Sequence, residues 1–184
     1  MKKIFLILFL TAFLPIKVFA LIEVDITRGN LNPLPIAVSP LSIDETSKKN
    51  FEKILKKKDI GVNISSVVEK NLKTSGLFNP LNKDAFLQAP EIANLKPRFE
   101  DWNLIKAQAL ITGKVTNIDN KLRVEFRLWD VLAGKEMMAL AFTTVPNNWR
   151  RVGHIITDKV YERLTGEKGY FDTRIIYVAE EGAK

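Results

Sequence analysis

Between Leu122 and Trp129 the chain alternates without a break. Leu122, Val124, Phe126 and Leu128 are apolar, and Arg123, Glu125, Arg127 and Trp129 fall between or after them. Successive side chains of a strand point to opposite faces, so this stretch predicts a strand with one buried and one wet face. Two more candidate strands flank it. Ala109 to Thr116 carries Leu110, Ile111 and Val115, and Asn117 to Asn120 is turn-like. Ala133-Gly134 makes the next turn, and Glu136 to Val145 returns with Met138, Leu140 and Phe142 on one side. Strands joined by turns this short are antiparallel neighbours, so residues 109–145 predict a three-stranded meander.

A half-apolar sheet must be covered, and the chain offers helices to cover it. Ile60, Ile64, Val67, Val68 and Leu72 recur at i, i+4, i+7, i+8 and i+12, which predicts a helix from about Ile60 to Thr74. Asp59 stands at its N-cap and Gly76 where a left-handed residue would end it. Trp149, Val152, Ile156, Val160 and Leu164 form a second apolar stripe, opened by Pro146-Asn147-Asn148 with an Asn cap and closed by Gly166. Shorter elements fill the gaps. Ile36 to Val38 reads as a strand closed by Pro40, and Leu77 to Leu81 as a short strand or turn. Asn82 to Pro97 reads as irregular, followed by a short helix carrying Phe99, Trp102, Leu104 and Ile105. The fold class expected is α+β, with amphipathic helices against one face of a small mixed sheet.

Ser42 to Lys58 is polar and holds Lys48, Lys49, Lys53, Lys56, Lys57 and Lys58. Phe51, Ile54 and Leu55 lie at helical spacing there, which predicts a short surface helix with a solvated lysine face. A basic patch for nucleic acid or anionic lipid is the sharper alternative.

The N-terminus has a different character. Lys2 and Lys3 precede the apolar run Ile4 to Leu14, Pro15 breaks it, and Val18-Phe19-Ala20 sets small residues where a signal peptidase reads. The run is far shorter than the ~20 residues that span a bilayer. Residues 1–20 are therefore expected to be a secretory signal, with no membrane insertion after cleavage. There is no cysteine, so no lipobox cysteine and no disulfide; stability must come from packing. The formal charge is +7, of which Lys2, Lys3 and Lys17 belong to the leader. The residual bias is mild, and an exported protein has little access to nucleic acid. Next, Leu21 to Ile26 places Ile22, Val24 and Ile26 on one face of an extended segment, and Thr27-Arg28-Gly29-Asn30 with Pro33 and Pro35 reads as a linker. Residues 36–169 are expected to be the globular domain.

Little in the chain suits catalysis. No glycine-rich phosphate loop precedes a helix, and no G-x-S-x-G elbow occurs. The single histidine, His154, lies four residues before Asp158 and eight before Glu162. An i,i+4 hydrogen bond on a helix is the plain reading; a metal site or acid–base pair is the sharper one, but one imidazole and two carboxylates on a single helix fall short of a closed ligand set. No metal and no cofactor are expected. Trp102 and Trp149 read as core. Trp129, placed opposite the core face beside Arg123, Glu125 and Arg127, marks a candidate interface.

Three stretches carry a family resemblance. Ser75-Gly76-Leu77-Phe78 ends the first long helix, and Ile111-Thr112-Gly113-Lys114-Val115 opens the meander. The most specific is the tail: Trp149, His154 with Asp158, Val160-Tyr161-Glu162-Arg163-Leu164-Thr165-Gly166-Glu167-Lys168-Gly169-Tyr170-Phe171, then Thr173-Arg174-Ile175-Ile176-Tyr177-Val178. In this order behind a signal peptide the chain resembles the N-terminal domain of the TolB family of periplasmic Tol–Pal proteins. The resemblance implies a non-catalytic α/β domain joined to a C-terminal β-propeller. It implies that the segment Leu21, Ile22, Glu23, Val24, Asp25, Ile26, Thr27, Arg28 and Gly29 engages an inner-membrane TolA-like protein. A Pal-like outer-membrane lipoprotein would bind only through the propeller, and the system would serve envelope integrity and cell division. Phe171, Thr173, Arg174, Ile175 and Tyr177 would form the junction to the propeller, within a strand or linker over 170–184, and no propeller sequence follows in these 184 residues. Phe171, Ile175, Ile176 and Val178 are then expected to be an exposed, self-associating edge that a version ending near Gly169 would lack. Two other readings stand beside this one: a freestanding periplasmic adaptor, and a small periplasmic metal-binding protein or hydrolase at His154 and Asp158.

Overall fold

The computed structural model describes residues 32–57 and 59–173. The signal segment and Leu21 to Gly29 lie outside the described residues, as do Arg174, Ile175 and Tyr177 of the junction.

Six strands form one mixed sheet: β1 (Leu34–Val38), β2 (Ser42–Ile43), β3 (Phe78–Pro80), β4 (Ala109–Ile118), β5 (Lys121–Asp130) and β6 (Lys135–Thr144). The order across the sheet is β3-β1-β4-β5-β6, with β2 paired to β4. β1 runs parallel to β3 and β4, and β4, β5 and β6 are antiparallel. The expected meander is therefore present. Its first turn is tighter than expected: β4 continues to Ile118, and Asp119 and Asn120 make the turn at φ 50° and 59°. Both residues tolerate the left-handed region through local side-chain bonding, which suits a primed hairpin turn. β1 begins at Leu34, inside the stretch expected to be linker.

Among the described residues five helices accompany the sheet: α1 (Glu45–Leu55), α2 (Ile60–Thr74), α3 (Pro90–Leu95), α4 (Phe99–Leu104) and α5 (Trp149–Thr165). The two long helices have the predicted extents. Asp59 caps α2 by accepting from the Val62 N–H at 3.1 Å, and Gly76 follows it at φ 74°. Two expectations about ends and gaps fail. Asn148 makes no capping bond to α5; its amide donates instead to Thr144 Oγ1 at 2.9 Å, because Pro146–Asn148 already form a 3-10 turn leading into the helix. The stretch 82–97 is not irregular, since it holds a 3-10 turn over Lys83–Ala85 and helix α3, which starts on Pro90. Proline at the first helical position costs no hydrogen bond, so Pro90 promotes this helix.

The main core lies where α2 and α5 cover the sheet. Ile36, Ile64, Leu72, Ile111, Leu122, Leu128, Ile156 and Leu164 are among its fully buried members. The two helices meet at Gly153: a Cβ there would sit 2.8 Å from Val67 Cγ1. A hydrogen bond crosses the same seam, with Asn71 Nδ2 donating to Thr157 Oγ1 at 3.2 Å and bonded to His154 Nδ1 at 2.8 Å.

The helices do not keep to one face. α3 and α4 cover part of the opposite face, where Ala37, Ala93, Trp102, Ala107, Leu110 and Val131 form a second, smaller core. This corrects the reading of Trp129 as an interface residue. Its ring packs edge-on against Phe99, with centroids 5.8 Å apart, and its indole N–H donates to Thr112 Oγ1 at 2.9 Å. The alternation of β5 was read correctly; what it could not reveal is that residues 90–104 fold back over one end of the wet face.

Candidate functional site

The described chain leaves the fold beside α5, and the geometry there is closely specified. Gly166 ends the helix at φ 76°, a conformation that costs glycine little. The next residues run back along the helix as a strap. Gly169 allows the closest approach, because a Cβ at that position would lie 2.6 Å from Asp158 Cβ. Asp158 then takes both N–H groups that follow: Oδ1 accepts from Phe171 at 2.7 Å and Oδ2 from Asp172 at 3.0 Å. Arg151, two turns nearer the start of α5, grips the Asp172 carboxylate through Nε at 3.0 and 3.1 Å and Nη2 at 3.0 Å. That carboxylate raises the proton affinity of the Arg151 guanidinium.

An aromatic cluster holds the other side of the strap. Tyr161 meets Tyr170 and Phe171 edge-on at 5.5 and 5.9 Å, and Tyr170 stacks on Phe171 at 4.5 Å. Tyr161 also meets Phe78 of β3 at 6.2 Å. Burial pushes the Tyr161 hydroxyl pKa up, with smaller contributions from Tyr170 and Glu167. Phe171 is thus half-buried against the domain's own core, which corrects the expectation that it stands exposed. Thr173, the last described residue, is exposed.

The expected His154–Asp158 bond is replaced by two separate sets of contacts. His154 is bonded through Nδ1 to Asn71, and both Asp158 oxygens serve the strap. Among the described residues no group of three or more His, Asp and Glu side chains could hold a metal ion. The strap's own residues, Arg151, Asp158, Tyr161, Gly169 and Asp172, were not singled out from sequence in this role. Asp158 and Phe171 lie thirteen residues apart, and only the reversal at Gly166 brings them together.

A cleft of about 220 Å³ lies between β6 and α5, lined by Phe142, Thr144, Val152, Ile155 and Arg151 among others. Among the described residues β6 is an edge strand. Its pairing with β5 slips at Leu128/Trp129, so Met137 is an extra residue and both Met137 and Met138 reach the core. Arg163 Nε donates to the Met137 carbonyl at 3.4 Å, and bulge and arginine together blunt that end of the edge. No described helix is long and apolar enough to cross a membrane.

Comparison with known proteins places these observations in a family. The model of the TolB amino-terminal domain matches residues 22–137. The Tol-Pal system protein TolB of Pelagibacter ubique (strain HTCC1062) is 84% identical over 171 residues, a span covering 93% of this chain and 38% of that protein. The crystal structure of TolB from Acinetobacter baumannii superposes with a TM-score of 0.61 at 20% identity, over 83% of this chain and 33% of that one. The chain thus spans well under half the length of the relatives it matches, and the solved structure supports the fold alone.

Proposed function

The chain belongs to the TolB amino-terminal domain family, and from that premise we propose that it acts as a non-catalytic, protein-binding component of a periplasmic Tol–Pal system. The observation that carries this reading is the 84% identity to a Tol-Pal system protein TolB. At that level of identity a shared role follows more readily than from fold alone.

The proposed mechanism is one of recognition. Leu21 to Gly29 serve as an extended arm whose apolar residues Ile22, Val24 and Ile26 alternate with Glu23 and Asp25. Such an arm adds as a strand to the edge of a TolA-like inner-membrane partner: main-chain bonds supply affinity and alternate side chains supply selectivity. At the other end the strap holds Phe171 and Asp172 against α5, and Arg174, Ile175 and Tyr177, next along the chain, serve as the junction. A β-propeller continuing from that junction would carry the contact with a Pal-like lipoprotein, and the two contacts together would link the envelope layers during division. Both partner assignments rest on the family relation.

Replacing Ile22, Val24 and Ile26 together by serine tests the arm. The triple variant is expected to lose capture by an immobilised TolA C-terminal domain while keeping its unfolding temperature. Undiminished capture would rule the arm out as the contact.

A further inference from the structure

The lysine-rich face of α1 continues into a second cationic site that is remote in sequence. Lys49 and Lys53 stand at i,i+4 on the helix, and with Glu52 and Lys56, the left-handed residue that caps it, they line one surface depression. None of Lys48, Lys49, Lys53 or Lys56 forms an ion pair among the described residues, although Glu45 and Glu52 stand at i,i+4 spacing from Lys49 and Lys56. Beyond the helix, Lys57 Nζ lies 5.4 Å from the centre of the Trp149 ring, and Arg150 Cζ lies 5.1 Å from the same centre. The end of α1 therefore abuts the start of α5, and the two cationic stretches form one surface around a half-buried tryptophan.

We propose that this surface, formed by Lys49, Lys53, Lys56, Lys57, Trp149 and Arg150, docks the domain on an anionic phospholipid bilayer. Charge complementarity selects the class of partner: the five cations outnumber Glu45 and Glu52, and uncompensated lysines are drawn to anionic headgroups over about a Debye length. Residue type then selects within that class. Protein interfaces deplete lysine and favour arginine with buried aromatic anchors, whereas flexible lysines beside a half-buried tryptophan match the composition of membrane-surface segments. A fluid headgroup layer needs no fixed geometry from its partner, and lysine, a mobile point charge, offers none.

The test is co-sedimentation of the chain starting at Leu21 with vesicles. Removing residues 1–20 keeps the apolar leader from binding lipid itself, and every core contact described above lies within residues 32–173. Vesicles of phosphatidylglycerol and phosphatidylcholine in equal parts are compared with pure phosphatidylcholine, at low and high salt. The expected result is partitioning onto the anionic vesicles alone. It should fall with salt, and fall at least about tenfold in the triple variant Lys49→Glu, Lys53→Glu, Lys56→Glu. The Lys→Gln triple variant, which keeps helix-forming residues and adds no negative charge, should fall partway, with unfolding temperatures confirming that both variants are folded. Binding that is equal on both vesicles, absent from both, or unchanged in the charge variants would overturn the proposal. So would retention of the chain by polyglutamate with none on vesicles, which would assign the surface to an acidic protein.

Discussion

Asp158 accepts the backbone N–H of Phe171 at 2.7 Å across thirteen residues of chain, and with its other oxygen it takes the N–H of Asp172. One carboxylate on α5 thus satisfies two donors of a segment that pairs with no strand among the described residues. Charge-assisted bonds of this kind contribute roughly 1.5–3 kcal/mol each when sheltered, and less at this half-exposed site. Asp158→Ala is expected to lower stability by about 1–2 kcal/mol in denaturant melts. It should also speed proteolytic cleavage within residues 166–173. A variant as stable and as resistant as the parent would mean that the aromatic contacts alone hold the strap.

Truncation at Gly169 tests the same strap from the other side. Sequence alone suggested that such a form would be better behaved, because Phe171 was expected to stand exposed. Since Phe171 and Tyr170 cover Tyr161, truncation should instead lower the unfolding temperature and increase binding of a hydrophobic dye. An unchanged melt would restore the original expectation.

The seam between α2 and α5 has no room at Gly153. Gly153→Ala places a methyl 2.8 Å from Val67 Cγ1, and overpacking of this kind costs about 1–3 kcal/mol. Val67→Ala in the same chain removes that atom and should recover part of the loss. The double-mutant cycle measures the coupling directly, and strictly additive effects would contradict close contact at this point.

Acid should weaken the cap of α1. Asp44 accepts from the Ser47 N–H at 2.9 Å and the Ser47 hydroxyl at 2.8 Å, and these bonds hold its pKa below the ordinary 3.8. A depressed folded pKa means that the carboxylate's contribution is fully present above the ordinary value and is lost as pH falls through the folded value. Asp44→Ala should therefore cost about 1 kcal/mol near neutrality, with the gap from the parent narrowing in strong acid. A gap independent of pH would remove the charge from the explanation.

Gln88 is the hinge of the second core. Its Oε1 accepts from the Trp102 indole N–H and the Arg98 N–H, both at 2.9 Å, and it is 4% exposed. Gln88→Leu leaves both donors unpaired, and a buried orphan costs about 1–3 kcal/mol. Destabilisation with a change in tryptophan emission is the expected result. A neutral substitution would show that water replaces the side chain.

Much of this fold can be read from the chain because its elements are locally consistent. The alternation through Leu122–Leu128, the stripe from Ile60 to Leu72, and the caps at Asp59 and Gly76 each carry their own signal. What escaped detection depends on tertiary context. Residues 90–95 make too few turns to show a period, so neither α3 nor the burial of Trp129 could be foreseen. The extra residue at Met137 could not be foreseen either, because a bulge adds one residue to one strand and leaves no compositional mark. The strap was hidden for the same reason: the close approach of Gly169 to Asp158 exists only once α5 is built. The family motif in the tail was legible residue by residue, while the reason for its spacing emerged only in the contacts among Asp158, Tyr161, Gly169 and Phe171.

The most direct test of the proposed role is a calorimetric titration of the C-terminal domain of TolA into two forms of the chain, one starting at Leu21 and one at Leu31. Saturable binding by the first and none by the second, with equal unfolding temperatures, is the result expected if Leu21 to Gly29 form the contact. Equal binding by both forms would contradict it and move the contact onto the folded domain.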